Sequence, residues 1–291
     1  MKNLAKIKYW LFDLDNTLYD GATKVFDQVD KKMTKFISEK LNIGSEEARK
    51  IQKSYFQEYN TTLNGMIKNH KIDADEFLEF VHDVDLNFLN KDKLLEDQIR
   101  KLNGKKIIFT NGSRAHAENV TKRIGIDKLF DGIFDIRDSE FIPKPSKEPY
   151  KKLVENYKIE PQYCIFFEDI ARNLKPAHEL GMKTVWIKND EPWAAKFSDA
   201  EFVNYKTDKL SNFLRKINEA VNDKQKISEA SDSKIIKAIK ETIELTDIGN
   251  IIVAEKKNGL WKVNQWIKKA ILLSFRINKM EVLRGPYTSW Y

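Results

Sequence analysis

Residues 9–17 read Tyr-Trp-Leu-Phe-Asp-Leu-Asp-Asn-Thr: four apolar residues run straight into two aspartates set one residue apart. Four more short apolar runs end at polar residues: 107–109 before Thr110, 132–134 before Asp135, 165–167 before Glu168 and Asp169, and 184–187. Runs this short and unbroken predict strands buried on both faces, as in a parallel sheet. Helical patterns at 114–124, 147–157 and 171–180 separate them. Gly125 and Gly181 fall just past two of these helices, where a left-handed residue ends a helix. Alternating strand and helix predicts an α/β fold. Ligands of such sheets bind beyond the C-terminal strand ends, which is where the polar clusters just named lie.

Residues 21–100 break the alternation. They hold amphipathic helical stretches and almost no strand signal, with Ser45 as an N-cap ahead of Glu46 and Glu47. An inserted helical cap is expected there, between a core of 1–20 and 101–222. The polar stretch 222–232 has no apolar periodicity and predicts a linker at 223–232. Beyond it, 233–291 predicts a helix near 233–245, a hairpin pairing IIVAEK with LWKVN around Asn258-Gly259, and a helix at 264–274.

With 41% hydrophobic and 11% aromatic residues, the chain of 291 residues has the composition of a folded protein. The net charge is +7, of which +5 falls in residues 225–291. The front part is nearly balanced, so no nucleic-acid partner is expected. Cys164 is the only cysteine, which excludes an intramolecular disulfide, and its apolar neighbours predict a buried thiol. No apolar run approaches the ~20 residues of a membrane span. The first residues reach aspartates too soon for a signal peptide, so a cytoplasmic protein with no membrane partner is expected.

Asp13 and Asp15 share one face of an extended segment. Two carboxylates so close repel unless a cation sits nearby, and magnesium takes one or two carboxylates together with substrate phosphate. One carboxylate can then attack phosphorus, while the other protonates the leaving alkoxide and later activates water. Alone, the pair also reads as surface carboxylates. The Thr110-Asn111-Gly112-Ser113 loop can hold phosphate oxygens with its hydroxyl and backbone N–H groups, or simply cap the next helix. Lys144, between Pro143 and Pro145, sits in a stiffened loop that can aim its ammonium. Glu168 and Asp169, with Asn173 one turn on, can complete a hard oxygen site or serve a helix N-terminus.

Taken in order, DLDNT, TNGS, PKPS and FFEDIARN resemble the four motifs of the haloacid dehalogenase superfamily over about residues 7–215. The resemblance implies a Rossmann-like parallel sheet with an inserted cap, plus a small, mainly helical C-terminal segment. It implies Asp13 as nucleophile, Asp15 as acid/base, and Thr110, Asn111 and Lys144 at the phosphate. Mg2+ would be held by Asp13, the Asp15 backbone carbonyl and Asp169. The superfamily's dehalogenases lack the second aspartate, so Asp15 favours phosphate transfer over carbon–halogen cleavage. At a finer level, FDLDNTLY, TTLNGMI, FLEFVHDVDL and FTNGSRAHAENV resemble pyrimidine 5′-nucleotidases. That implies UMP or CMP as substrate, with Thr61, Thr62, Asn64 and His82 of the cap, and Arg114, as further contacts. Another small phosphorylated metabolite such as phosphoglycolate is the alternative.

The stretch NGLWKVNQWIKKAILLSFRIN resembles the N-terminal helical domain of tetrahydrodipicolinate N-succinyltransferase, over about 230–291. No hexapeptide repeat of that family's left-handed β-helix follows within the sequence. Acyl transfer by these residues is therefore not expected, and the segment reads as part of a second enzyme joined to a phosphatase, either a fusion cut short or a readthrough of neighbouring genes. Its apolar side chains predict self-association.

Overall fold

A computed structural model of the protein describes residues 4–224, 233–257, 260–277, 283–284 and 289–290. Six strands form one parallel sheet: β1 (Tyr9–Phe12), β2 (Lys105–Phe109), β3 (Gly132–Phe134), β4 (Cys164–Glu168), β5 (Lys183–Ile187) and β6 (Tyr205–Thr207). Their spatial order is β3-β2-β1-β4-β5-β6. β1 lies at the centre, with Leu11 opposite Ile107 on one side and Phe166 on the other. The chain moves outward from β1 to β3, then crosses back to place β4 on the other flank of β1. The order reverses between β1 and β4, and the crevice at their C-terminal ends is the place where open α/β sheets bind ligands. The sixth strand escaped the sequence reading because Tyr-Lys-Thr is half exposed and carries no apolar run.

Both faces of the sheet are covered. On one, Leu11, Ile107, Phe109 and Phe166 pack with Tyr150 and Leu153 of α7 (Lys147–Tyr157). On the other, Phe12 stacks on Phe167 at 5.1 Å between ring centroids, and Phe213 of α10 (Leu210–Lys224) meets Phe167 at 5.9 Å. Cover on both sides is why the strands read as unbroken apolar runs. The turn into β2 depends on Gly104, whose φ is +99°; a Cβ there would lie 2.1 Å from the Lys8 carbonyl oxygen. The expected helix at 114–124 is α6 (Arg114–Ile124), ended by Gly125 at φ +81°. The one expected at 171–180 opens as a 3-10 turn, Ala171–Asn173, before α8 (Leu174–Glu179).

Residues 21–100 contain α1 (Val25–Leu41), α2 (Ser45–Tyr59), α3 (Thr62–His70), α4 (Ala74–His82) and α5 (Lys93–Arg100). Val29, Phe36, Leu63, Met66, Phe77 and Val81 form the cap's own apolar cluster, into which Ile136 of the loop after β3 also packs. The N-cap of α2 is Gly44, with Ser45 as the first helical residue. α5 belongs with the sheet body: Asn218 of α10 donates to the Gln98 backbone carbonyl and side-chain oxygen at 3.1 and 2.9 Å.

The chain divides into two compact units, Met1–Asn218 and Glu219–Tyr291. α10 runs on through Lys224, so the polar segment expected to be a linker begins as helix; its remainder lies outside the described residues. The second unit holds α11 (Ser233–Asp247), an antiparallel pair of β7 (Ala254–Lys257) with β8 (Leu260–Val263), and α12 (Gln265–Ile277). The short β9 (Leu283–Arg284) and β10 (Ser289–Trp290) also pair antiparallel. Asn258-Gly259, the expected turn, lies outside the described residues. Among those described, no helix is long and apolar enough to cross a membrane.

Candidate active site

Asp13 is the first residue past β1, and its N–H donates to the Phe167 carbonyl of β4 at 2.9 Å. The sheet's hydrogen bonding thus extends one residue beyond the strand and fixes the backbone under the carboxylate. Thr110 stands at the same level after β2, its N–H on the Phe134 carbonyl at 3.1 Å and its Oγ1 accepting from Gly112 N at 2.9 Å. Glu168 is the last residue of β4 and Asp169 the next. Four motifs far apart in sequence meet because four adjacent strands end together.

Lys144 reaches this level from the loop after β3. Asn111 holds it in place: its Oδ1 accepts from the Lys144 N–H at 2.9 Å and its Nδ2 faces the Lys144 carbonyl at 3.4 Å. The Lys144 side chain is buried, and its ammonium donates to Asp13 Oδ1 and Glu168 Oε2, both at 2.7 Å, and to the Phe109 carbonyl at 2.8 Å. All three ammonium protons have acceptors. Burial alone would lower the Lys144 pKa; Asp13 and Glu168 outweigh it and hold the ammonium above its ordinary range.

One ammonium does not balance the acids around it. Asp13, Glu168 and Asp169 are all buried, and each offers an oxygen within 4.8 Å of the others'. Three carboxylates and one ammonium leave a formal charge of −2. Burial, and then Glu168, push the Asp13 carboxyl up to about 8 against the pull of Lys144. Asp169 is likewise pushed well up by burial, then by Glu168 and Asp13. An all-oxygen donor set short of two positive charges fits a hard divalent cation such as magnesium. Asp169 is oriented for that role, since its Oδ2 accepts from Asn189 Nδ2 at 2.7 Å and from Asn16 Nδ2 at 3.5 Å. Asp15 contributes no side-chain oxygen to this trio.

The Asp15 carboxylate is held separately. Its Oδ1 accepts from Tyr19 Oη at 2.6 Å and lies 2.8 Å from His116 Nε2. Burial would raise this carboxyl, but His116 and Tyr19 bring it below the ordinary aspartate range. His82, expected as a substrate contact, instead stacks flat on His116, with centroids 4.4 Å apart and planes 11° apart. Burial, and then His116, lower the His82 pKa to about 3.

The remaining cap residues are engaged locally. Thr61 caps α3 by accepting from Asn64 N at 3.2 Å, Thr62 Oγ1 faces the Gln52 carbonyl at 3.4 Å, and Asn64 Nδ2 donates to the Tyr59 carbonyl at 2.9 Å. Arg114 donates to the Ile133 carbonyl and to Asp138, at 2.6 and 2.9 Å. None of the four has a hydrogen bond to the Asp13–Lys144 cluster. A cavity of about 810 Å³ opens between sheet body and cap, lined by Asn16, Tyr19, Arg49, Lys53, Asn189 and Trp193 among others. It reaches the amides that hold Asp169 but is not lined by Asp13, Thr110 or Lys144. Sequence reading missed Tyr19, His116, Asn16 and Asn189. Their signal is weak: each is a common polar or aromatic residue whose role appears only once strands and helices are placed.

The haloacid dehalogenase-like hydrolase family matches residues 7–181. The chain belongs to that family. The chain is also similar to phosphate metabolism protein 8 of Saccharomyces cerevisiae, with 31% identity over 197 residues and 60% of each protein covered. A haloacid dehalogenase phosphatase structure from Thermococcus onnurineus shares the fold, with TM-score 0.50 and 22% identity over 72% of this chain and 97% of that one. Residues 212–277 match the N-terminal region of tetrahydrodipicolinate N-succinyltransferase. The 2,3,4,5-tetrahydropyridine-2,6-dicarboxylate N-succinyltransferase of Pelagibacter ubique is 51% identical over 82 residues, 28% of this chain and 30% of that enzyme. The chain thus spans 60% of the yeast relative and 30% of the bacterial one. The second match begins within α10, earlier than the polar stretch suggests.

Proposed function

We propose that this hydrolase cleaves phosphate monoesters by way of a phosphoryl group carried on Asp13. The observation that supports it most is the buried Lys144 ammonium between Asp13 and Glu168, beside Asp169, at the crevice between β1 and β4. Asp13 Oδ1 is engaged by Lys144, which leaves Oδ2 to attack phosphorus. Lys144 and the Thr110 hydroxyl lie beside the position of the transferred group and counter its charge. Asp15 enters the step protonated, gives that proton to the leaving alkoxide, and regains one from the water that releases phosphate; His116 and Tyr19 favour the carboxylate between the two transfers. Magnesium, held by Asp13, Asp169 and the Asp15 carbonyl, would supply charge neutralisation for the phosphoryl oxygens.

As the finer reading, we assign a pyrimidine nucleoside 5′-monophosphate, UMP or CMP, as substrate. Support comes from the motif stretches quoted above and from a cavity next to the nucleophile loop large enough for a nucleoside. A screen of nucleoside monophosphates, sugar phosphates and phosphoglycolate, with magnesium and with EDTA, tests both levels. UMP and CMP should be hydrolysed faster than AMP and GMP. A clear preference for phosphoglycolate overturns the finer reading alone; no magnesium-dependent phosphate release from any monoester overturns the whole.

A further inference from the structure

His116 stands one layer behind Asp15. Its side chain is 1% exposed, whereas that of Asp15 keeps 17%, so the carboxylate faces the crevice and the imidazole backs it. The ring itself is fixed from two directions. Its own backbone N–H donates to Ser113 Oγ at 3.3 Å at the start of α6. Its face is covered by His82, the last residue of α4 in the cap. His82 is anchored in turn, because its Nδ1 lies 2.9 Å from the Ser113 hydroxyl, which keeps its proton to donate while accepting from His116.

We propose that His116, clamped by the cap residue His82, is a positioning residue that aims the Asp15 carboxylate at the leaving-group oxygen. The cap thereby takes part in the chemistry without touching the reacting atoms. This rests on the proposed phosphatase reading, in which Asp15 is the general acid and base. Without His116 the Asp15 carboxylate keeps only the Tyr19 hydroxyl on Oδ1, at 2.6 Å; held by one contact instead of two, it would spend less time in line with the ester oxygen, and small misplacements of a catalytic group cost rate.

The test compares wild type, Asp15→Asn, His116→Leu, His116→Asn and His116→Gln on phenyl phosphate and p-nitrophenyl phosphate with magnesium. Phenolate needs protonation as it leaves far more than p-nitrophenolate does. His116→Leu should lower kcat on phenyl phosphate by about tenfold to a hundredfold, with KM within twofold and a smaller loss on p-nitrophenyl phosphate. His116→Gln, whose amide reaches as far as Nε2, should recover most of the rate. His116→Asn, whose amide stops short, should not, and it serves as the loss-of-contact variant if the leucine variant does not fold. Equal losses on the two substrates, or a glutamine variant as slow as the asparagine one, would overturn the positioning role. A wild-type protein inert on both esters would instead count against the phosphatase reading, and retention of activity by Asp15→Asn against the role of Asp15.

Discussion

The Lys144 ammonium lies 2.7 Å from the Asp13 carboxylate, and both side chains are closed off from solvent. The contact joins a loop after β3 to the end of β1, so it ties the ends of the sheet together as well as shaping the site. Breaking a buried pair by removing one partner typically costs 3–5 kcal/mol. Lys144→Met should therefore lose about 3–5 kcal/mol in urea unfolding without divalent cation, and should be inactive. Adding Glu168→Gln should recover part of the stability and none of the activity. A single variant as stable as wild type would show that the buried ammonium contributes nothing to the stability of the fold.

Magnesium binding should be visible without turnover. Ligand at a hundred times its Kd adds about 2.7 kcal/mol to the native state, so saturating magnesium should raise Tm and EDTA should reverse the gain. Asp169→Asn removes a ligand and one of the repelling charges. Its metal-free Tm should equal or exceed that of wild type, and the response to magnesium should vanish. An unchanged magnesium response in Asp169→Asn contradicts the assigned donor set.

The acid cluster also predicts the sign of a pH effect in EDTA. Asp13 ionises near 3.8 in the unfolded chain but only at about 8 in the fold. Below pH 4 both states hold the proton and nothing is gained or lost. Between about 4 and 8 the unfolded chain releases it while the folded cluster keeps it, so this group's contribution to stability falls as pH rises. The stability of Asp13→Asn relative to wild type should grow across that window, and magnesium should flatten the difference. A difference that stays constant from pH 5 to 8 would refute the raised carboxyl.

Deleting residues 226–291 should leave phosphatase kinetics within about twofold. The cut spares α10, whose Leu214 and Ile217 are buried and whose Asn218 holds α5. In the second unit Trp261, Trp266, Leu272 and Phe275 are exposed, and exposed apolar patches favour association. Light scattering should therefore show less self-association after truncation. A folded but inactive truncation would mean that the second unit completes the active site.

The positions of the Asp13 loop, the Thr110 loop and the acidic pair were legible because each follows an apolar run, and parallel strands deliver such ends to one place. Lys144 was legible from its flanking prolines and its order in the set. Glu168 as partner of Lys144 was not, since two adjacent acids do not reveal which one turns inward. His116 and Tyr19 could not be found by spacing: one lies 101 residues from Asp15 and one only four, and both converge on the same oxygen. Thr61 and Asn64 illustrate the opposite case, polar residues that suggest a ligand and are used to start and brace a helix. β6 was invisible because its three residues, at the sheet edge, are half-buried or exposed and form no apolar run.

The central claim is that Asp13 carries the phosphoryl group. Steady-state turnover of Asp13→Asn, on the best substrate from the screen and with saturating magnesium, tests it most directly. The amide cannot form the acyl-phosphate, so kcat should fall by at least about a thousandfold, equivalent to roughly 4 kcal/mol of barrier, in a protein whose circular dichroism and Tm remain native. A folded variant retaining a tenth of wild-type turnover would contradict the account.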